Sequence, residues 1–265
     1  MVQTLMTTRT KGRNRKSSVS IFSSKVRCGD CGSWYGPKVW HSNDAYRKVI
    51  RTLNEETRSG KPFFAHVMTV SNHRPFTYPA GRIRIPNDSK SRAGGVLYSD
   101  YSLGRFFAEA ARQPWFENTI FLVTADHCAS SAGRTEIPLQ KYHIPALILA
   151  PGLIEPGVVD GIVSQIDLMP TLLSLLNMSY DSHFYGRSIF DPAYVNRAFI
   201  ATYQDLGYLE GDTFTILSPV RRFEQSRVVP TEENPHHLEA MERKDAVQVD
   251  RAIGYYQTSC KWNKR

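Results

Sequence analysis

Thr119-Ile120-Phe121-Leu122-Val123-Thr124-Ala125-Asp126-His127 joins a short apolar run to a carboxylate and an imidazole. Thr119–Val123 is a short β-branched apolar run bounded by polar residues, and such a run reads as a buried strand of a parallel sheet. In open α/β sheets, ligands sit just beyond the carboxyl ends of the strands. A carboxylate and an imidazole at that place offer a divalent metal one hard and one borderline ligand. Asp-His after a strand also fits a helix N-cap followed by a surface histidine, so the surroundings must decide.

Outward from this stretch the chain alternates strands and helices. Asn54–Ser59 reads as the end of a helix, and Gly60-Lys61-Pro62 as a break. Phe63–Val70 reads as a strand followed by the loop Ser71-Asn72-His73-Arg74-Pro75-Phe76. The polar stretch Tyr78–Gly94 predicts a long surface loop. Leu97, Tyr101, Leu103, Phe106, Phe107 and Ala110 predict a helix over Val96–Arg112. A loop over Ala129–Tyr142, a strand over Ile144–Ala150 and a helix over Ser164–Leu176 follow. Phe199–Tyr203 and Phe214–Leu217 read as later strands, and Lys244–Ser259 as a C-terminal helix. This rhythm predicts an α/β fold with a largely parallel sheet and helices on both faces.

The 265 residues can bury a sizeable core. Net charge is +8 but unevenly spread, since residues 1–62 hold 13 Lys/Arg against 4 Asp/Glu. Such a basic arm allows a non-specific DNA contact by residues 1–62, and the remainder gives no electrostatic reason to bind nucleic acid. Four cysteines are too few for a disulfide scaffold. There is no run of eighteen apolar residues and no apolar leader, so the chain as written reads as cytoplasmic.

If the strands are parallel, the loops after Val70 and Val123 open on one sheet edge. His73 would then share a cleft with Asp126 and His127, where an imidazole can steady a metal-bound oxyanion. Other residues have plainer readings. Cys128 reads as a small buried side chain, a third soft ligand being the alternative. Asp167 reads as a helix cap, His66 as a core histidine and His143 as a packing or hydrogen-bonding residue. Arg134 and Lys141 read as surface cations, and His236-His237 as a solvated pair.

Seven ordered segments carry a resemblance. They are Lys61-Pro62-Phe63-Phe64-Ala65-His66, Ser71–Phe76, Gly95-Val96-Leu97-Tyr98-Ser99-Asp100-Tyr101, Trp115-Phe116-Glu117-Asn118-Thr119, Ala125-Asp126-His127, Tyr142-His143-Ile144-Pro145, and Ser164-Gln165-Ile166-Asp167-Leu168-Met169-Pro170-Thr171. With them, Phe63–Leu206 resembles the C-terminal half of the sulfatase and lipoteichoic-acid-synthase-like enzymes of the alkaline phosphatase superfamily. Ala252–Thr258 looks like the family's terminal helix. The resemblance implies a metal-dependent enzyme acting on sulfate or phosphate esters, through a nucleophilic Thr or a modified Cys or Ser. It assigns Asp126 and His127 as metal ligands and His73 as the contact to the phosphoryl or sulfuryl group. The divalent metal would be Mn, Mg, Ca or Zn, weakly held, because a firm site needs three or four ligands. Nothing in residues 1–60 matches the family's nucleophile segment, which predicts a truncated, inactive domain. The parent family is membrane-anchored, periplasmic or extracellular.

Phe22–Ile50, with Cys28-Gly29-Asp30-Cys31, Trp34-Tyr35-Gly36 and Trp40-His41-Ser42-Asn43-Asp44, resembles the start of the zinc β-ribbon of large serine recombinases. Cys28 and Cys31 would be a vestigial half-site for zinc, with His41 the first candidate for a further ligand. The expected division is a basic ribbon-like arm over 1–52 and the sulfatase-like part over 53–265. A DNA-binding zinc-ribbon module is the rival reading, and a non-functional remnant the third.

Overall fold

The computed structural model describes residues 38–39, 45–129 and 137–262, in two units that divide between Thr119 and Ile120. Cys28, Cys31, His41 and Arg134 lie outside the described residues, as does most of the basic arm.

In the first unit, β1 (Lys38–Val39) pairs in parallel with β2 (Val67–Met68). Between them runs α1 (Ala45–Thr57), which continues unbroken through the division expected at 52/53. Val49, Ile50 and Leu53 form its buried face. Helix α2 (Arg92–Ala110) starts where the Ser91 hydroxyl accepts the Gly94 N–H at 3.1 Å. The two helices meet through Tyr46 and Phe106, whose rings are 5.3 Å apart. The Trp115 indole donates to Asn54 Oδ1 at 2.6 Å and ties the chain after α2 to α1. The strand expected over Phe63–Val70 is ladder-paired only at Val67–Met68, and Phe64, Met68 and Val70 are exposed. An apolar run alone does not make a strand, because the backbone needs a partner.

The second unit contradicts the largely parallel sheet. Strand β3 (Phe121–Thr124) pairs antiparallel with β4 (Ala146–Leu149), Phe121 opposite Leu149 and Thr124 opposite Ala146. A parallel return needs a crossover of a dozen or more residues, usually a helix. The described part of the connection holds only the short 3₁₀ turn Leu139–Lys141. A second sheet is a five-stranded antiparallel meander in chain order: β5 (Arg197–Ala201), β6 (Leu206–Glu210), β7 (Thr213–Ser218), β8 (Arg222–Val228) and β9 (Leu238–Ala240). Gly211 opens the two-residue turn between β6 and β7 at φ 58°, a backbone state that costs glycine nothing. Ile137, Leu139, Ile200, Leu209 and Phe214 form the core.

Helix α3 (Leu168–Leu175) follows the 3₁₀ turn Gln165–Asp167 as a capping box formed by Ser164 and Asp167. Helix α4 (Ala246–Trp262) packs on the meander, and the Tyr256 hydroxyl sits 2.7 Å from the Gly207 carbonyl and 3.0 Å from that of Ile200. Burial pushes the Tyr256 phenol up to about 12.

Asp167 is wholly buried and Arg197 is 2% exposed. The carboxylate accepts N–H groups from Ser164 (3.1 Å) and Arg187 (2.9 Å), the Tyr194 hydroxyl (3.0 Å), and two guanidinium nitrogens of Arg197 (3.2 and 3.3 Å). Arg197 also donates to the Tyr185 carbonyl at 3.1 Å. Burial and the adjacent Asp167 charge push the Tyr194 phenol well above its ordinary range.

Two outcomes are expected. Arg197→Met strands a buried carboxylate, so urea denaturation should show a loss of about 3–5 kcal/mol; a loss below about 1 kcal/mol would contradict the buried pair. The second concerns His236, whose Nε2 lies 3.3 Å from His143 Nδ1. Burial, then the neighbouring His143, hold the His236 imidazole below its usual 6.5. The neutral ring is favoured in the fold, so this contribution to stability is present above pH 6.5 and is lost as pH falls through the lowered value. NMR titration should find His236 protonating below 6.5, and His143→Ala should raise it part of the way back.

Candidate metal and oxyanion site

The strand β3 ladder ends at Thr124, and Ala125–Cys128 turn away from the sheet. Asp126 Oδ1 accepts the backbone N–H of His127 at 3.0 Å, which anchors the carboxylate to its own turn. His127 Nδ1 lies 2.8 Å from the Cys128 carbonyl oxygen. A carbonyl can only accept, so the proton of the neutral ring sits on Nδ1 and the lone pair on Nε2. That Nε2 faces Asp126 Oδ2 at 3.7 Å, and both side chains are 69% exposed. A carboxylate oxygen and an unprotonated imidazole nitrogen therefore point at one solvent-accessible place. The donor set suits a divalent cation, and a carbonyl holding the far ring nitrogen is the usual support for a metal-bound histidine.

The backbone beneath the pair is held from two sides. The Thr124 hydroxyl donates to the Pro145 carbonyl at 3.2 Å. Gln165 Nε2 donates to the carbonyls of Ala125 at 2.8 Å and Asp126 at 3.0 Å. Cys128 is buried, in keeping with its reading as a packing residue. Among the described residues, no group of three or more His, Cys, Asp or Glu side chains gathers as a metal site.

His73 belongs to the first unit and is exposed. Its Nδ1 lies 2.8 Å from the Arg74 carbonyl, which again leaves the lone pair of the neutral ring on Nε2. The loop is shaped by Phe76, buried at φ 57°, whose N–H reaches the His73 carbonyl at 2.7 Å. The Arg92 guanidinium lies 5.2 Å from the Phe76 ring centroid. A Cβ on Gly95 would stand 2.9 Å from the Ser71 carbonyl oxygen, so only glycine lets α2 approach this loop so closely. The structure thus brings Asp126 and His127 together within the second unit, and His73 belongs to the first.

Sequence reasoning missed two contributors. Gln165 lies in a segment whose pattern already stood out, but its amide bonds to backbone forty residues away, which no local pattern encodes. Arg197 precedes a run of apolar residues, and nothing local in the sequence marks it as the buried partner of Asp167.

Among the described residues, no helix is long and apolar enough to cross a membrane. The Sulfatase family model matches residues 17–178. The chain is 27% identical over 150 residues to lipoteichoic acid synthase 1 of Bacillus subtilis, covering 49% of this chain and 23% of that protein. It is 23% identical over 163 residues to lipoteichoic acid synthase of Staphylococcus aureus, covering 54% and 25%. The chain thus spans about a quarter of the length of these relatives. Among solved structures, an alkaline phosphatase superfamily protein from Vibrio parahaemolyticus matches with a TM-score of 0.73 and 32% identity over 88% of this chain and 58% of that one. Lipoteichoic acid synthase LtaP from Listeria monocytogenes, at 21% identity and a TM-score of 0.66, covers 91% and 62% and shares the fold. The recombinase resemblance of Phe22–Ile50 finds no support, and those residues fall inside the Sulfatase match. With more than half of its length matched, the chain belongs to the Sulfatase family.

Proposed function

We propose that this chain supplies the Asp-His part of the metal centre, and the substrate-facing histidine, of a sulfatase-type enzyme acting on sulfate or phosphate esters. The similarity to lipoteichoic acid synthases favours phosphoglycerol transfer over sulfate hydrolysis. The observation that carries the proposal is the Asp126–His127 turn, where Oδ2 and the unprotonated Nε2 face each other at 3.7 Å in solvent.

Asp126 and His127 would hold a divalent cation, which when bound neutralises charge on the ester oxygens and acts as a Lewis acid. One imidazole in the donor set favours Mn²⁺ or Zn²⁺ over Ca²⁺, which prefers oxygen ligands. Two protein ligands give weak retention. His73 takes the anionic group. With Nδ1–H spent on the Arg74 carbonyl, a proton taken at Nε2 makes the imidazolium. That form donates to a phosphoryl or sulfuryl oxygen, or passes a proton to the leaving oxygen. On this reading residues 1–60 do not carry the family's nucleophile segment, and the covalent step uses a group from outside them.

Calorimetry on the 265-residue polypeptide should show weak Mn²⁺ or Zn²⁺ binding that Asp126→Ala and His127→Ala each abolish. Chromogenic phosphate and sulfate esters should not turn over. No metal binding, or binding indifferent to both substitutions, would defeat the proposal. Turnover lost in both variants would put a nucleophile within these residues, with Thr124 and Cys128 the candidates.

A further inference from the structure

Asp126 and His127 are exposed side chains on a turn that has left its sheet, yet their backbone is not free. Gln165 reaches it from forty residues away in sequence. One amide nitrogen donates to two consecutive carbonyls, Ala125 at 2.8 Å and Asp126 at 3.0 Å. Two carbonyl oxygens can only accept, so the amide is oriented with its NH₂ towards them and both protons are used. These carbonyls flank the peptide unit from which the Asp126 side chain springs and precede His127 directly.

The base from which Gln165 reaches is itself fixed. Gln165 begins the 3₁₀ turn that ends at Asp167, and the Asp167 carboxylate is buried against Arg197 while accepting the Ser164 N–H. The turn that carries Gln165 is thus fixed at its two ends by buried Ser164 and Asp167, while Gln165 itself is exposed. An exposed glutamine on a rigid post, spending both amide protons on a neighbouring turn, holds that turn rather than filling a core.

We propose that Gln165 is the positioning residue of the Asp126–His127 pair. Its two hydrogen bonds set the peptide planes of residues 125 and 126. Those planes set the direction of the Asp126 carboxylate and bring the Cys128 carbonyl to His127 Nδ1. The tautomer of His127, and with it the availability of the Nε2 lone pair, follows from a contact made by Gln165. The inference rests on reading Asp126 and His127 as metal ligands for its affinity consequence, but its tautomer consequence does not.

The test uses the 265-residue polypeptide, with Gln165→Met, which keeps the length and removes both donors, and Gln165→Ala as a second variant. Two quantities are read. Long-range ¹H–¹⁵N spectra of the metal-free protein report the His127 tautomer, and Mn²⁺ titration reports affinity. In the parent protein His127 should show Nδ1–H almost alone. In both variants it should become a mixture, with Mn²⁺ affinity down about tenfold or more and the unfolding transition within about 2 °C of the parent, as for a surface change. An unchanged tautomer with unchanged affinity overturns the inference. If the parent binds no Mn²⁺, the metal reading fails by itself, and the tautomer signal still decides for or against Gln165. A variant that unfolds broadly rather than losing the Nδ1–H signature would mark Gln165 as a structural residue and also overturn the assignment.

Discussion

A carboxylate sealed from water is the constraint on which the second unit depends. Removing a charge from water costs several kcal/mol, and Asp167 is tolerable only because donors converge on it from the Ser164 turn, Arg187, Tyr194 and Arg197. Those donors come from separate segments, so satisfying one charge joins the start of α3, the loop before β5 and β5 itself. Arg197 extends the junction. Its guanidinium lies 5.7 Å from the Tyr194 ring centroid, 5.5 Å from that of Phe199 and 5.8 Å from that of Tyr255 on α4. A buried ion pair adds little net stability over an apolar pair of the same shape, but it admits few alternative arrangements. Its contribution here is geometric, because it holds the 164–167 turn in one place and gives the adjoining segment a fixed base.

How far the sequence can be read follows from what kind of contact makes each element. Apolar runs mark β3, β4, β5 and β7 to within a few residues, and the periodicity of Leu97–Ala110 marks α2. Asp167 reads as the cap of a helix starting near Leu168, but its side chain makes no cap bond to that helix; it is the third residue of a capping box begun by Ser164. Strand β8 is not legible, because Arg222-Phe223-Glu224-Gln225-Ser226-Arg227-Val228 has almost no apolar content. Its buried residue is Gln225, whose amide is satisfied by the Thr215 hydroxyl and by Asp245. A strand held through a buried amide hides from any search for hydrophobic alternation. Strand direction is equally hidden. Apolar runs mark β3 and β4 as strands, but such a run carries no information on whether its partner lies parallel or antiparallel.

The candidate site divides along the same line. Asp126 and His127 are adjacent, so their pairing is written in the order of the residues. His73 also stands out by its place after an apolar run. What composition and spacing cannot show is the state of the two imidazoles. Each ring donates Nδ1–H to the carbonyl of the next residue, Arg74 for His73 and Cys128 for His127. Such a bond depends on the histidine's own side-chain torsions and on the backbone dihedrals of two residues, which makes it local in atoms but not in cause.

The dihedrals are imposed from elsewhere. At His73 the loop is pinned by buried Phe76 and by the absence of a side chain on Gly95, which lets α2 press against Ser71. At His127 the turn is held by Gln165, whose neighbour Ser164 donates its N–H to the buried Asp167 carboxylate. Neither histidine is buried, and neither draws its protonation pattern from burial or from a paired carboxylate on its Nδ1 side. In both places a tertiary contact to a neighbour's backbone selects the ring nitrogen that faces solvent. An exposed imidazole would otherwise pass between its two tautomers freely, and a ligand needing one of them would find it for only part of the time, with affinity reduced in proportion. Fixing the carbonyl rather than the ring leaves both side chains open to an incoming anion or cation while removing that loss. The arrangement therefore reconciles two demands that burial would set against each other, access from solvent and a single protonation pattern.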